Sequence, residues 1–513
     1  MHQRSSTRII WNLSARQLLN SKVGCCLIGA GDKPEVNKPP FIQWPHGLCI
    51  ESSQRHKKET LSYLHKMRTY FASLQSPMPA LMLSFRKTPK GHVLSESQDV
   101  TTGQTIMIYA SNQTRQHSQH SRQHSQHSRQ HNKPQNNSPL CPSVVVSMQD
   151  FASVRCGDEL YFGYGDCVVK ALEVKEKSLL AEVVSQGTIH TEASFVVDVS
   201  DETTENLLEQ HISAGELKQV GVNYLMLPGS LSPKTVKTLR RHLRRDDETS
   251  PWLIFRIDSK QAIKRFRAVE EDVDGVMISR RDLALTENPD MLPILTKELI
   301  ARCRYKAKLA IVASHMLGSM RQQVTPTRAE VSDIAYAVFD GADAITLPEK
   351  TLIGPYGTTA TEVASRVIED VTSNRSTLHH HHNKLRDVDP SDMEMDVICI
   401  EAAKTALHIN AKALVCITKT GNTALRLSSI DIGLPIIAIT FHETISRKLQ
   451  LLRGVESLVL KSNPGVDKIL PRINELIKAM GWLKKGDKIV FVTVTLSSMS
   501  DEASNLFTVQ NIY

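Results

Sequence analysis

At 513 residues the chain exceeds what one hydrophobic core organises, so roughly two to four domains are expected and a small disulfide-stapled scaffold is excluded. The formal charge of +8 is spread along the chain without a dense basic block, which leaves nucleic acid unsupported as a partner and suits small anionic substrates. Nine cysteines lack CxxC spacing and no apolar run nears the ~20 residues that span a bilayer, so a soluble cytoplasmic protein with reduced thiols and no membrane partner is expected.

The first thirty residues hold Arg4, Arg8, Arg16 and Lys22 with no acid before Asp32. That composition suits an organellar transit peptide, whereas apolar Ile9 to Leu13 with poor helical periodicity reads as an ordinary first strand. Residues 1–91 are taken as the first part of a β/α barrel. From 92 to 195 the pattern changes to short alternating strands, among them Val144 to Ser147, Cys167 to Val174 and Leu179 to Val184, expected to form an inserted β domain. Within it, 112–138 carries Gln-His-Ser-Gln-His-Ser-Arg twice, at 116–122 and 123–129. Almost nothing apolar lies there, so no core can form and disorder is expected.

Residues 196–372 alternate β-branched runs with amphipathic stretches, the pattern of parallel strands and crossover helices. Strands are predicted at Leu253 to Asp258, Asp274 to Ser279, Leu309 to Ser314 and Ala344 to Leu347, with a helix over Ala329 to Phe339. The first three end in polar residues, as where a barrel exposes its active face. A His-rich linker, 373–390, contains His379 to His382. A closing α/β domain, 391–513, opens with capping-box spacing at Ser391 and Glu394 and has strands at Ala413 to Thr418, Pro435 to Thr440, Ser457 to Lys461 and Lys488 to Thr495.

Because strand side chains alternate, Arg256 and Asp258 share one face of their strand while Phe255 and Ile257 share the other. A cation beside a carboxylate at a strand end suits phosphate and metal. Asp282 would add the second carboxylate with which Mg²⁺ is usually held. A structural ion pair fits the same spacing.

The runs DGVMISRRDLAL, LAIVASHMLGSM and TPTRAEVSDIAYAVFDGADAIT, in this order, resemble the pyruvate kinase family, and the likeness extends from Thr7 to the C-terminus. The resemblance implies a TIM-type β/α barrel, an inserted small β-barrel lid domain and a C-terminal α/β domain. It also implies phosphoenolpyruvate and ADP as substrates, Mg²⁺ and K⁺ as cofactors and tetramer assembly, homomeric or with a paralogue.

Carried over residue by residue, the family's metal carboxylates fall on Asp258 and Asp282, its catalytic Lys on Arg256 and its catalytic Thr on Ser314, which would also contact substrate with Asp282 and Arg281. Arg256 keeps the charge, but a planar fork is not an ammonium point charge. The Arg of Arg-Gly-Asp is kept as Arg280. Its Gly is replaced by Arg281, expected to crowd the substrate carboxylate, and the next family Gly by Ala284. The segment Arg-x-Asn-Phe-Ser-His-Gly is aligned with Phe41 to Gly47, which makes His46 a nucleotide-binding candidate and puts Gln43 and Pro45 at K⁺ ligand positions. With Ser84 and Phe85 at the family's Asp-Thr, no family-type K⁺ site is expected.

Thr418, Thr420, Gly421, Asn422 and Thr423, in the run Thr418 to Thr423, are similar to the family loop that cradles an effector phosphate; a plain strand-to-helix turn is the competing reading. His117, His120, His124, His127, His131 and His379 to His382 offer imidazoles to Zn²⁺ or Cu²⁺, against repeat expansion without a metal. These departures lead to an expected weak or inactive member of the family, serving as a structural or regulatory subunit. An active pyruvate kinase and a non-enzymatic metal-binding scaffold are the alternatives.

Overall fold

The computed structural model describes residues 8–14, 46–52, 79–85, 90–111, 142–148, 151, 154–163, 167–191, 193–198, 217, 220–243, 248–314, 316–378, 393–460, 466–479, 481, 483–493 and 506–512. The Gln-His-Ser repeat, the four-histidine run, Phe41 to Pro45 and Ser391 lie outside them.

Eight parallel strands close into a barrel. In chain order these are β1 (Arg8–Ser14), β2 (Gly47–Ser52) and β3 (Ala80–Phe85), then, after the insert β4 to β12, β13 (Tyr224–Leu227), β14 (Trp252–Ile257), β15 (Gly275–Ser279), β16 (Leu309–Ala313) and β17 (Ala344–Leu347). The predicted strands therefore stand, each within a residue or two of its expected bounds. Arg8–Ser14 pairs with both β2 and β17, so this apolar run is a barrel strand.

Alternation divides each strand between two cores. On β14, Leu253, Phe255 and Ile257 pack outward with Ala262, Phe266 and Val269 of the helix Lys260–Val269. Trp252 and Ile254 turn inward with Met277, Leu309 and Ile311. The helix Arg328–Asp340 starts at a capping box in which the Thr327 side chain and Glu330 serve each other's backbone N–H. Burial alone would raise the Glu330 carboxyl; hydrogen bonds from Ser319 and Thr327 hold it below its usual range.

The insert forms a seven-stranded sheet from β4 (Lys90–His92), β6 (Thr105–Ser111), β7 (Ser143–Ser147), β8 (Glu159–Phe162), β9 (Cys167–Val174), β10 (Ser178–Ser185) and β12 (Ser194–Asp198), with β5 (Gln98–Val100) and β11 (Gly187–Ile189) as a separate pair. It has its own core around Ile106, Ile108, Phe162, Val169 and Phe195.

The C-terminal domain is a five-stranded sheet built from β18 (Ala413–Ile417), β19 (Ile436–Thr440), β20 (Val455–Val459), β21 (Lys488–Thr493) and β22 (Leu506–Asn511), in the order β20-β19-β18-β21-β22. The edge strand β22, which pairs antiparallel with β21, has no counterpart among the predicted strands. The domain plugs the N-terminal end of the barrel. Leu449, Leu451 and Leu452 join the barrel's inward-facing core, and the Arg8 guanidinium donates to the carbonyls of Leu452 at 3.2 Å and Val455 at 2.6 Å. The Tyr224 hydroxyl donates to the Lys448 carbonyl. The opposite, C-terminal end is left to the βα loops.

Candidate active site

At that C-terminal end β14 delivers Arg256 on the inward face and is followed by Asp258, and β15 delivers Ser279 and leads into the short helix Arg280–Leu283 that carries Asp282. The structure brings these four residues together. Arg256 Nη2 lies 2.5 Å from Asp282 Oδ2, and Arg256 Nε lies 3.4 Å from Asp258 Oδ2. Ser279 Oγ donates to Asp282 Oδ2 at 2.9 Å and accepts from Arg256 Nη2 at 3.2 Å. Arg256, Asp258 and Asp282 are 9%, 8% and 7% exposed, so their ion pairs are sheltered from solvent screening. Ser279, which sequence reasoning passed over, is the hydroxyl that ties cation to carboxylate.

Gly229, in the loop after β13, closes against this cluster. A Cβ at that position would stand 2.5 Å from the Arg256 carbonyl and 2.6 Å from Asp258 Oδ1. Only glycine lets the backbone come so near. The Oγ of Ser230 beside it is buried without a hydrogen-bond partner among the described residues.

Arg280 turns away from the carboxylates. Its guanidinium donates to Asp333 Oδ1 at 2.8 Å and to the Ser314 carbonyl at 3.0 Å, which ties the end of β15 to the loop after β16. Ser314 has φ of +76°, a left-handed conformation that costs a non-glycine residue about 1–3 kcal/mol and gathers at functional sites. Arg281, beside Arg280 in the chain, is exposed. Asp333, the partner that fixes Arg280, lies 53 residues away in the chain and gives no local signal.

Family models for the pyruvate kinase barrel domain and the pyruvate kinase alpha/beta domain match residues 124–361 and 396–509. A pyruvate kinase of Agrobacterium vitis is 31% identical over 366 residues, 69% of this chain and 74% of that protein. The chain belongs to the pyruvate kinase family. A pyruvate kinase of Thermotoga maritima is 28% identical over 343 residues, 66% of this chain and 72% of that protein. The crystal structure of a pyruvate kinase from Cryptosporidium parvum superposes with a TM-score of 0.67 at 20% identity, over 100% of this chain and 97% of that one, a likeness of fold.

Against this family background, the N-terminal alignment needs correction at His46. The His46-Gly47 dipeptide precedes β2, and all eight strands run parallel, so His46 lies at the end of the barrel opposite Asp258 and Asp282. Its Nδ1 accepts from the Ile9 N–H at 3.3 Å, and its backbone bonds Ile9 and Ala80. Desolvation, then the nearby Arg8 charge, lower its pKa to about 3. A neutral imidazole holding two strand starts together is a structural part, not a nucleotide contact. Ser84 is buried and donates to the Met226 sulfur at 3.3 Å.

The run Thr418 to Thr423 follows β18 and opens the helix Asn422–Ile430. The Thr418 hydroxyl accepts the Gly421 N–H at 2.9 Å, so that amide is already spent within the turn. Gly421 faces the barrel: a Cβ there would stand 2.8 Å from Trp252 Cζ2. Trp252 starts β14 and Asp258 follows its end, so this loop lies about 20 Å from the Arg256 cluster.

Proposed function

We propose that this chain is a pyruvate kinase family member with weak or no turnover of phosphoenolpyruvate and ADP. The observation that carries the reading is the Arg256 guanidinium, bonded to Asp282 and paired with Asp258 at the place the family's catalytic lysine occupies by resemblance. Phosphoryl transfer is accelerated chiefly by cations placed against charge that develops in flight. A cation locked between two carboxylates is spent in the ground state. Asp258, Asp282, Ser314 and Arg281 remain the proposed contacts to substrate.

The test is a coupled assay with phosphoenolpyruvate, ADP and Mg²⁺ on the wild type, Asp258→Asn and Arg256→Lys. The wild type should run far below a working pyruvate kinase, and Arg256→Lys should raise the rate at least about tenfold, equivalent to about 1.4 kcal/mol of transition-state stabilisation. Wild-type turnover at ordinary family rates, abolished by Asp258→Asn, would favour an active enzyme.

A second reading, a structural subunit, is supported by one surface. Exposed Phe507 and Val509 lie on the edge strand β22, beside the helix Met393–His408 with exposed Val397 and Leu407. An open apolar edge of this kind suits self-association or pairing with a paralogue. Cytoplasmic location remains part of the proposal; among the described residues no helix is long and apolar enough to cross a membrane.

A further inference from the structure

We infer that Arg256 is the resident cation of this site and that the Asp258 and Asp282 pair takes no divalent metal ion while Arg256 is in place. The inference rests on the reading above for what the site is, and extends it to how the site is charged.

Mg²⁺ requires near-octahedral oxygen ligation at about 2.0–2.1 Å and usually keeps several waters. Each carboxylate already commits an oxygen elsewhere. Asp282 Oδ2 already accepts from Arg256 Nη2 at 2.5 Å and from Ser279 Oγ at 2.9 Å. Asp258 Oδ2 faces Arg256 Nε at 3.4 Å, and its Oδ1 lies under the Gly229 backbone, so close that even a methyl group there would stand 2.6 Å from it. At 8% and 7% exposure the two carboxylates have little space for the hydration shell a magnesium ion retains. Among the described residues no third His, Cys, Asp or Glu joins them in a group able to hold a metal.

The guanidinium supplies geometrically what the metal would supply by charge. Its planar fork reaches both carboxylates at once, whereas a lysine ammonium on a flexible stem can swing off either one and leave oxygens for a metal. Entry of a metal would drive Arg256 out of a buried place and leave that charge without its two partners, which is the costly way to break a buried pair. The residues therefore do not fit the family's divalent ion as they stand. Ser279 strengthens the exclusion by engaging Asp282 Oδ2 from a second direction.

The test is direct Mn²⁺ titration of the full, chelator-stripped chain by electron paramagnetic resonance, which counts free ion and needs no activity. The wild type should show no saturable site that depends on Asp258. Arg256→Lys should gain one, binding at least about tenfold tighter than the wild type. Arg256→Gln serves as the second variant, and thermal melts establish that each is folded. A wild-type site for one Mn²⁺ that Asp258→Asn abolishes would overturn the inference; so would folded Arg256→Lys and Arg256→Gln proteins that bind no tighter than the wild type. Mn²⁺ binding without turnover defeats this inference alone, and family-level turnover without Mn²⁺ binding defeats the functional reading alone.

Discussion

Lysine and arginine carry the same charge, yet at position 256 the shape of the cation sets which atoms it can satisfy at once. The strand pattern placed Arg256 and Asp258 on one face, and that much follows from period-two alternation. The third member, Asp282, is marked by its place just past the strand Asp274 to Ser279 and by the family resemblance, whereas the Ser279 hydroxyl between them follows from the pairing of β14 and β15 with Arg256 opposite Met277. His46 shows the converse. A short motif matched without its strand register makes a nucleotide contact of a residue that lies at the opposite end of the barrel from Asp258 and Asp282. Its lowered pKa, about 3, has a measurable consequence. The folded state leaves the imidazole neutral while the unfolded chain takes up a proton near 6.5, so stability present above pH 6.5 is lost as pH falls toward 3. Urea midpoints of the wild type should fall between pH 7.5 and pH 5, and His46→Gln should show the shallower fall over that interval; equal slopes would remove His46 from the acid response.

At the scale of elements, periodicity made the strands and helices of the barrel legible because each is buried on a face that its own sequence marks. The capping box at Thr327 and Glu330 has the same readable spacing as Ser391 and Glu394. Loops were less legible. Thr418 to Thr423 has the composition of an anion cradle, but its Gly421 is fixed by φ of +97° and by contact with Trp252. Gly421→Ala should therefore destabilise the protein by about 2 kcal/mol, through left-handed strain and the clash together. Chemical denaturation measures it, and a loss below about 0.5 kcal/mol would mean that the turn is not packed on the barrel as described.

For the whole molecule, the seam between barrel and C-terminal domain is held by polar groups that no local pattern announces. Asp343 accepts from the Ala310 N–H of the barrel at 2.9 Å and from the Arg453 N–H of the C-terminal domain at 3.2 Å, and burial raises its pKa despite these bonds. Glu248 reaches from the loop before β14 to His442 Nε2 at 2.6 Å, and its carbonyl accepts from the buried Lys448 Nζ at 3.1 Å. The seam leaves β22 and its apolar neighbours outward. Light scattering should accordingly give a mass above one chain, alone or mixed with an ordinary pyruvate kinase, and Val509→Lys should reduce it. A strictly monomeric, non-mixing protein would exclude the subunit reading.

The family, the barrel, the insert and the closing α/β domain are legible in the amino-acid order alone, because hydrophobic periodicity and ordered motifs are local properties of a chain. That order also names Arg256, Asp258 and Asp282. That these three share one buried ion-paired cluster, that Gly229 closes over Asp258, and that His46 belongs to the far end are visible in the folded chain alone. Distances between residues on different strands depend on register and closure of the barrel, which no single segment encodes.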